Sequence, residues 1–171
     1  MKKKRFVAAG LGVIATLSIS TSPAQAVTWG SDIIGIKNAY TGKCLSGSGR
    51  TVSQTTCGLP VSGGSRSTDW LMADIDPSVK RVMLRNKSTN LCLDNNGTDV
   101  YLSGCSSDDD GQQWNFNTCS GMIVSLVSPP WDVRTLTGWN TGGVSVTSWG
   151  EADEWAKSEW YLTSGRPAWC P

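Results

Sequence analysis

Apolar residues along this chain come in short runs, not in long helical stripes. Ile33-Ile34-Gly35-Ile36, Val82-Met83-Leu84 and Met122-Ile123-Val124-Ser125-Leu126-Val127 are rich in strand formers and bounded by Gly, Ser, Asn and Pro. Val144-Ser145-Val146-Thr147-Ser148 alternates with period two, as a half-buried strand does. Turn formers punctuate the runs: Thr41-Gly42, Ser46-Gly47-Ser48-Gly49, Asn96-Gly97 and Thr141-Gly142-Gly143. No convincing 3.6-residue period runs through any segment long enough for an ordinary helix. The pattern predicts an all-β chain.

One apolar stretch reads differently. Phe6 to Ile19 follows a charged head, Lys2-Lys3-Lys4-Arg5, and precedes the small-x-small sequence Ala24-Gln25-Ala26. That order is the signature of a secretory signal peptide, with cleavage expected near Ala26, and the apolar part is too short to stay as a membrane span. The expectation is therefore a leader over residues 1–26 and one secreted domain over 27–171, with no membrane-spanning segment.

The strands recur. Ile36-Lys37-Asn38-Ala39-Tyr40-Thr41-Gly42-Lys43-Cys44-Leu45 aligns with Leu84-Arg85-Asn86-Lys87-Ser88-Thr89-Asn90-Leu91-Cys92-Leu93, at an offset of 48 residues. Downstream, Ser67-Thr68-Asp69-Trp70 matches Gly111-Gln112-Gln113-Trp114, and Lys157-Ser158-Glu159-Trp160 closes a third copy. The closing tryptophans lie 44 and 46 residues apart. Such a period marks an internal repeat; we delimit the copies at about 32–78, 79–120 and 121–163.

Cysteine usage supports the same compartment. All six cysteines lie beyond the leader, and an even count in an exported chain points to disulfides. Zinc competes poorly, since the sequence has no histidine and no C-x-x-C pair. Cys44 to Cys57 and Cys92 to Cys105 are both 13 residues apart, which argues for two local bridges and leaves Cys119 with Cys170. Setting aside the four basic residues of the leader leaves eleven basic against fourteen acidic residues, a net of −3. No basic stripe is visible, so nucleic acid is not an expected partner.

The motifs of the second copy, Cys92-Leu93-Asp94, then Val100-Tyr101-Leu102-Ser103-Gly104-Cys105, then Gln112-Gln113-Trp114, resemble the repeat of ricin-type β-trefoil lectins. The first copy keeps both cysteines and the tryptophan, with Ser46 for the aspartate and Thr68 for the glutamine. The third has neither cysteine, and we place Trp131-Asp132-Val133 where Cys-Leu-Asp would stand. The resemblance covers about residues 32–163. It implies a disulfide-stapled β-trefoil with Trp70, Trp114 and Trp160 in a shared core.

It also implies a sugar subsite per copy. An aspartate after Cys-Leu accepts from two ring hydroxyls, an aromatic before the second cysteine stacks on the sugar face, and an Asn near Gln-x-Trp adds a polar contact. Carried onto this chain, the first copy has Ser46 and Thr55 and looks inactive. The second keeps Asp94 and Gln112 but has Ser103 at the aromatic position and Gly111 at the Asn position, with Tyr101 on the same strand face as a substitute. In the third we expect a site around Asp132, Trp149, Trp139 and Asn140. Trp29, Trp131, Trp139, Trp149, Trp155 and Trp169 exceed the core set, and surplus aromatics on loops commonly mark a binding surface.

Without histidine no Ser-His or Cys-His nucleophile can be assembled, and the repeats leave no room for a catalytic domain. No cofactor or metal is expected; the acidic run Ser107-Asp108-Asp109-Asp110-Gly111 lacks the ligand spacing of known calcium loops and reads as a solvated turn. The expected function is secreted carbohydrate binding without catalysis. The competing expectation is an accessory subunit of a secreted complex or toxin, with Val27-Thr28-Trp29-Gly30-Ser31 extending toward a protein partner.

Overall fold

A computed structural model describes residues 27–58, 65–151 and 154–163. Its twelve described strands fall in three groups of four. The first group holds β1 (Ile36–Asn38), β2 (Cys44–Ser48), β3 (Thr51–Thr55) and β4 (Trp70–Asp76). The second holds β5 (Arg81–Asn86), β6 (Cys92–Asn95), β7 (Val100–Ser103) and β8 (Trp114–Asn117). The third holds β9 (Met122–Ser125), β10 (Arg134–Gly138), β11 (Val144–Ser148) and β12 (Trp160–Leu162).

The pairings close a barrel. β1 pairs with β12, β4 with β5, β5 with β8, and β8 with β9, all antiparallel. The bridges Ile34–Trp70 and Met122–Glu159 complete the ring of six strands. The remaining strands form three hairpins, β2–β3, β6–β7 and β10–β11. These meet over one end of the barrel through Thr51–Tyr101, Asp99–Ser145 and the bond from Gln54 N to Gly142 O. A six-stranded barrel capped by three hairpins is the β-trefoil that the resemblance implies.

The core follows from three repeated contacts. Trp70, Trp114 and Trp160 are fully buried, and each indole Nε1–H donates to a leucine carbonyl of its own repeat. The acceptors are Leu45 O at 3.0 Å, Leu93 O at 3.1 Å and Leu136 O at 2.9 Å. A buried indole contributes about 2–3 kcal/mol through its area, and the N–H bond removes the cost of hiding its polar edge. Ile36, Leu84, Phe116 and Ile123 fill the space between them.

Those leucines fix the threefold equivalence, and it corrects the alignment of the third copy. Leu45 pairs with Gln54, Leu93 with Leu102 and Leu136 with Val146. Thr135-Leu136-Thr137 therefore occupies the Cys-Leu-Asp position, four residues beyond Trp131-Asp132-Val133. The β9–β10 connection carries a four-residue insertion, which no cysteine marks in the sequence. The two missing cysteine positions are Thr135 and Trp149. In the other hairpins the bridges are present, Cys44–Cys57 and Cys92–Cys105, with Cα atoms 5.0 and 5.1 Å apart. Cys119 is disulfide-bonded; its expected partner, Cys170, and Trp169 lie outside the described residues, as does the expected leader.

The segment expected to reach toward a partner packs on the barrel instead. Gly30 N donates to Met72 O at 2.9 Å, and the Arg85 guanidinium lies 4.4 Å from the centre of the Trp29 ring.

Candidate functional site

Hairpin β6–β7 sets Asp94 directly opposite Tyr101. Cross-strand partners share a sheet face, and Ser103, two residues on, joins them. Gln112 arrives from the short 3₁₀ turn Asp110–Gln112, whose start Asp109 caps by accepting from Gly111 N at 3.0 Å. Asp94, Tyr101 and Gln112, taken from three segments of sequence, therefore do converge.

Their hydrogen bonds interlock. The Ser103 hydroxyl donates to Asp94 Oδ2 in a short bond, and Gln112 Nε2 donates to Ser103 Oγ and Gly104 O, each at 2.8 Å. The same amide reaches Asp109 Oδ2 at 3.2 Å and Asp94 Oδ2 at 3.5 Å. Asp94 is only 3 % exposed, at the floor of the group. Glycine at 111 lets the turn close this near, because a Cβ there would stand 2.4 Å from Asp94 Oδ1. Burial first, then the charges of Asp94 and Asp109, pushes the Tyr101 phenol above the ordinary tyrosine value.

The other two copies carry hydroxyls at these positions. In the third, Thr137 Oγ1 lies 2.6 Å from Thr147 Oγ1 and 3.2 Å from Ser158 Oγ. In the first, Ser46, Thr55 and Thr68 stand there. A carboxylate at this position belongs to the second copy alone.

The quartet expected in the third copy does not form one site. Asp132 and Trp149 sit at the open end of hairpin β10–β11, where Trp149 N donates to Val133 O at 2.9 Å. Trp139 and Asn140 sit at its turn, a five-residue strand or roughly 17 Å away. Asp132 binds Arg134 Nε at 2.8 Å, and Arg134 Nη1 donates to Gly97 O of the second copy, so this aspartate braces a junction between copies. Bonds from Ser148 and Arg134 hold its carboxyl below the usual range. At the turn, Trp139 Nε1 donates to Ser145 Oγ at 2.8 Å, and Asn140 Nδ2 to the Tyr40 hydroxyl at 3.0 Å. The Lys157 ammonium lies between the Tyr40 and Trp139 rings, 5.3 and 5.4 Å from their centres.

Trp149 instead meets Trp155, with ring centres 5.1 Å apart. Trp155, Tyr161 and Glu159 line a cleft with it and were missed as site residues. Sequence held a partial signal: Trp149 and Trp155 both stood among the tryptophans in excess of the core set.

The chain matches the family model for the ricin-type beta-trefoil lectin domain over residues 32–160. A search of the curated proteins returns no match. Similar solved structures include a designed threefold-symmetric protein, ThreeFoil, with 19% identity and a TM-score of 0.57, over 77% of this chain and 98% of that one. A second is a non-toxic homologue of type II RIPs from Momordica charantia (bitter gourd), solved in complex with α-methyl-D-galactoside. It has 15% identity and a TM-score of 0.56, over 77% of this chain and 47% of that one. A third is the Haemophilus ducreyi cytolethal distending toxin, with 20% identity and a TM-score of 0.56, over 86% and 93%. The chain thus spans less than half of the bitter-gourd protein it resembles. At these identities the likeness shows the fold.

Proposed function

Because the chain belongs to the ricin-type β-trefoil lectin family, we propose that it is a secreted carbohydrate-binding protein whose working subsite is the second-repeat cluster of Asp94, Tyr101 and Gln112. The observation that carries this reading is the convergence of Asp94, Tyr101 and Gln112 beside one another. A carboxylate accepts from a pair of sugar hydroxyls, the phenol ring offers an apolar face, and the amide orients the carboxylate. The two disulfides support export to an oxidising compartment.

Affinity at this pocket is low on physical grounds. Ser103 already donates to the oxygen that a sugar hydroxyl must reach, so ligand must displace an internal bond, and a shallow pocket offers few others. Ser103→Ala removes that competitor and should tighten binding several-fold, whereas Asp94→Asn should abolish it. A glycan array probed with the oxidised chain and these two variants tests the proposal. Silence from a folded wild-type chain, or binding unaffected by Asp94→Asn, overturns it.

A second reading, an accessory subunit of a secreted complex, has its own observation. Trp131 is 86 % exposed and Val133 is also exposed, on a loop outside the pocket. An exposed tryptophan suits a protein interface. Unchanged sugar binding in Trp131→Ala, with loss of a co-purifying protein, would favour it.

A further inference from the structure

The strongest unassigned feature is the cleft that Trp149 shares with Trp155. Trp149 follows β11, Trp155 opens the 3₁₀ turn Trp155–Ser158, and Glu159 and Tyr161 flank Trp160. The two indole planes meet at 67°, and Trp155, Trp149 and Tyr161 are 69 %, 46 % and 46 % exposed. The cleft encloses about 180 Å³, with Met122 in its wall and the bridge from Met122 to Glu159 behind it.

Its electrostatics are one-sided. Among the described residues lining it, Glu159 carries the only charge, and none is basic. The hydroxyls that line it are already engaged. Tyr161 Oη donates to Glu159 Oε2 at 2.9 Å, and Ser158 Oγ lies 3.2 Å from Thr137 Oγ1. Ser120 Oγ lies 3.5 Å from Asn117 O and accepts from Met122 N at 3.4 Å. A sugar entering here would find those hydroxyls occupied and would have the Glu159 carboxylate and the indole edges as its polar partners, with a desolvation cost for each hydroxyl they do not reach. A methylated ammonium group needs no hydrogen bond. It needs aromatic faces within about 6 Å and a nearby negative charge. Angled indoles, a phenol and a carboxylate supply both.

We propose that the cleft formed by Trp149, Trp155, Tyr161 and Glu159 is a binding site for a quaternary ammonium group of the choline type. This goes beyond the carbohydrate reading and does not rest on it. The head group sits in the corner between the indoles, its charge facing Glu159. The same group occurs on free small molecules and on lipid head groups, and the cleft recognises the chemistry they share.

The test titrates the oxidised chain with choline and with tetramethylammonium at constant ionic strength, reading the ligand's methyl proton resonance. Binding should saturate and move that resonance upfield, since the methyl groups lie over aromatic faces. Trp155→Ala should weaken it about tenfold, the scale of one exposed cation–π contact or somewhat more. Trp155 lies outside the core, so this variant folds. Glu159→Gln should weaken it several-fold, and Asp94→Asn should leave it unchanged. Saturable binding of phosphatidylcholine vesicles as well as free choline identifies a lipid head group as the source; free choline alone identifies a small molecule. The proposal is overturned by no saturable shift, by unchanged binding in Trp155→Ala, or by equal affinity for 3,3-dimethylbutan-1-ol, the uncharged carbon analogue of choline. It is equally overturned if methyl galactoside displaces choline from the cleft.

Discussion

Asp94 and Tyr101 are a cross-strand pair, and the carboxylate bears on the protonation of the phenol. The phenol's folded value lies above its unfolded one, so the neutral form is favoured by folding. The associated stability is complete below the ordinary tyrosine pKa, near 10, and is lost as pH rises through the folded value. Asp94→Asn removes one of the charges that raise it, and spectrophotometric titration of the phenolate should show Tyr101 titrating at lower pH. An unchanged titration would mean that Asp94 does not face the phenol. At the same scale, three buried amides repeat a single bond. Asn86 Nδ2 donates to Ser67 O at 2.6 Å, and Asn38 Nδ2 to Lys157 O at 2.9 Å. At the third junction Ser125 holds the asparagine position, and Asn95 supplies the amide, donating to Gly111 O at 2.8 Å and accepting from Ser125 Oγ at 2.8 Å. Where the amide comes from Asn86 or Asn38, the residue equivalent to Asn95 is Gly47 or Gly138, and a Cβ there would lie 2.9 Å from the asparagine carboxamide carbon. Asn95→Gly should therefore cost about 1–3 kcal/mol, the penalty for a stranded buried carbonyl. Adding Ser125→Asn should restore most of it, while Ser125→Asn alone should destabilise. Urea denaturation of the three variants checks this, and additive losses would refute the exchange.

Among the elements, the hairpins show what the sequence carried and what it did not. Two were legible from equal cysteine spacing, and the bridges form as that spacing predicts. The closing tryptophans were legible because Trp-ending motifs recur at nearly constant intervals, and all three are buried. The third hairpin was misaligned by four residues. With Thr135 and Trp149 in place of cysteines, the only local anchor was an aspartate, and Asp132 lies in the insertion. Leu136, the residue whose carbonyl meets Trp160, was the anchor to seek. The split between Trp149 and Trp139 was invisible for a related reason: residues close in sequence lie at opposite ends of an extended hairpin. Reduction should cost about 3 kcal/mol per short bridge by loop closure. It should loosen β2–β3 and β6–β7, leaving β10–β11, which has no such bridge, little changed in hydrogen exchange. Equal loosening of all three hairpins would show that the bridges act on the whole barrel.

At the scale of the molecule, threefold closure and loss of symmetry act on different residues. The barrel and its tryptophans keep the symmetry because each indole, leucine carbonyl and first-strand pairing serves the shared core. Positions outside that shared core have diverged, leaving a buried carboxylate cluster in the second copy and an aromatic cleft in the third. The two proposed sites lie on different copies, so avidity at either one would depend on how many chains or ligands are joined. Amide chemical-shift mapping with the best glycan from an array would locate the bound sugar on the barrel. The largest changes should cluster at Asp94, Tyr101, Ser103 and Gln112, with Thr137, Thr147 and Ser158 undisturbed. Changes centred on the third copy, or none at saturating glycan, would contradict a carbohydrate subsite in the second-repeat pocket.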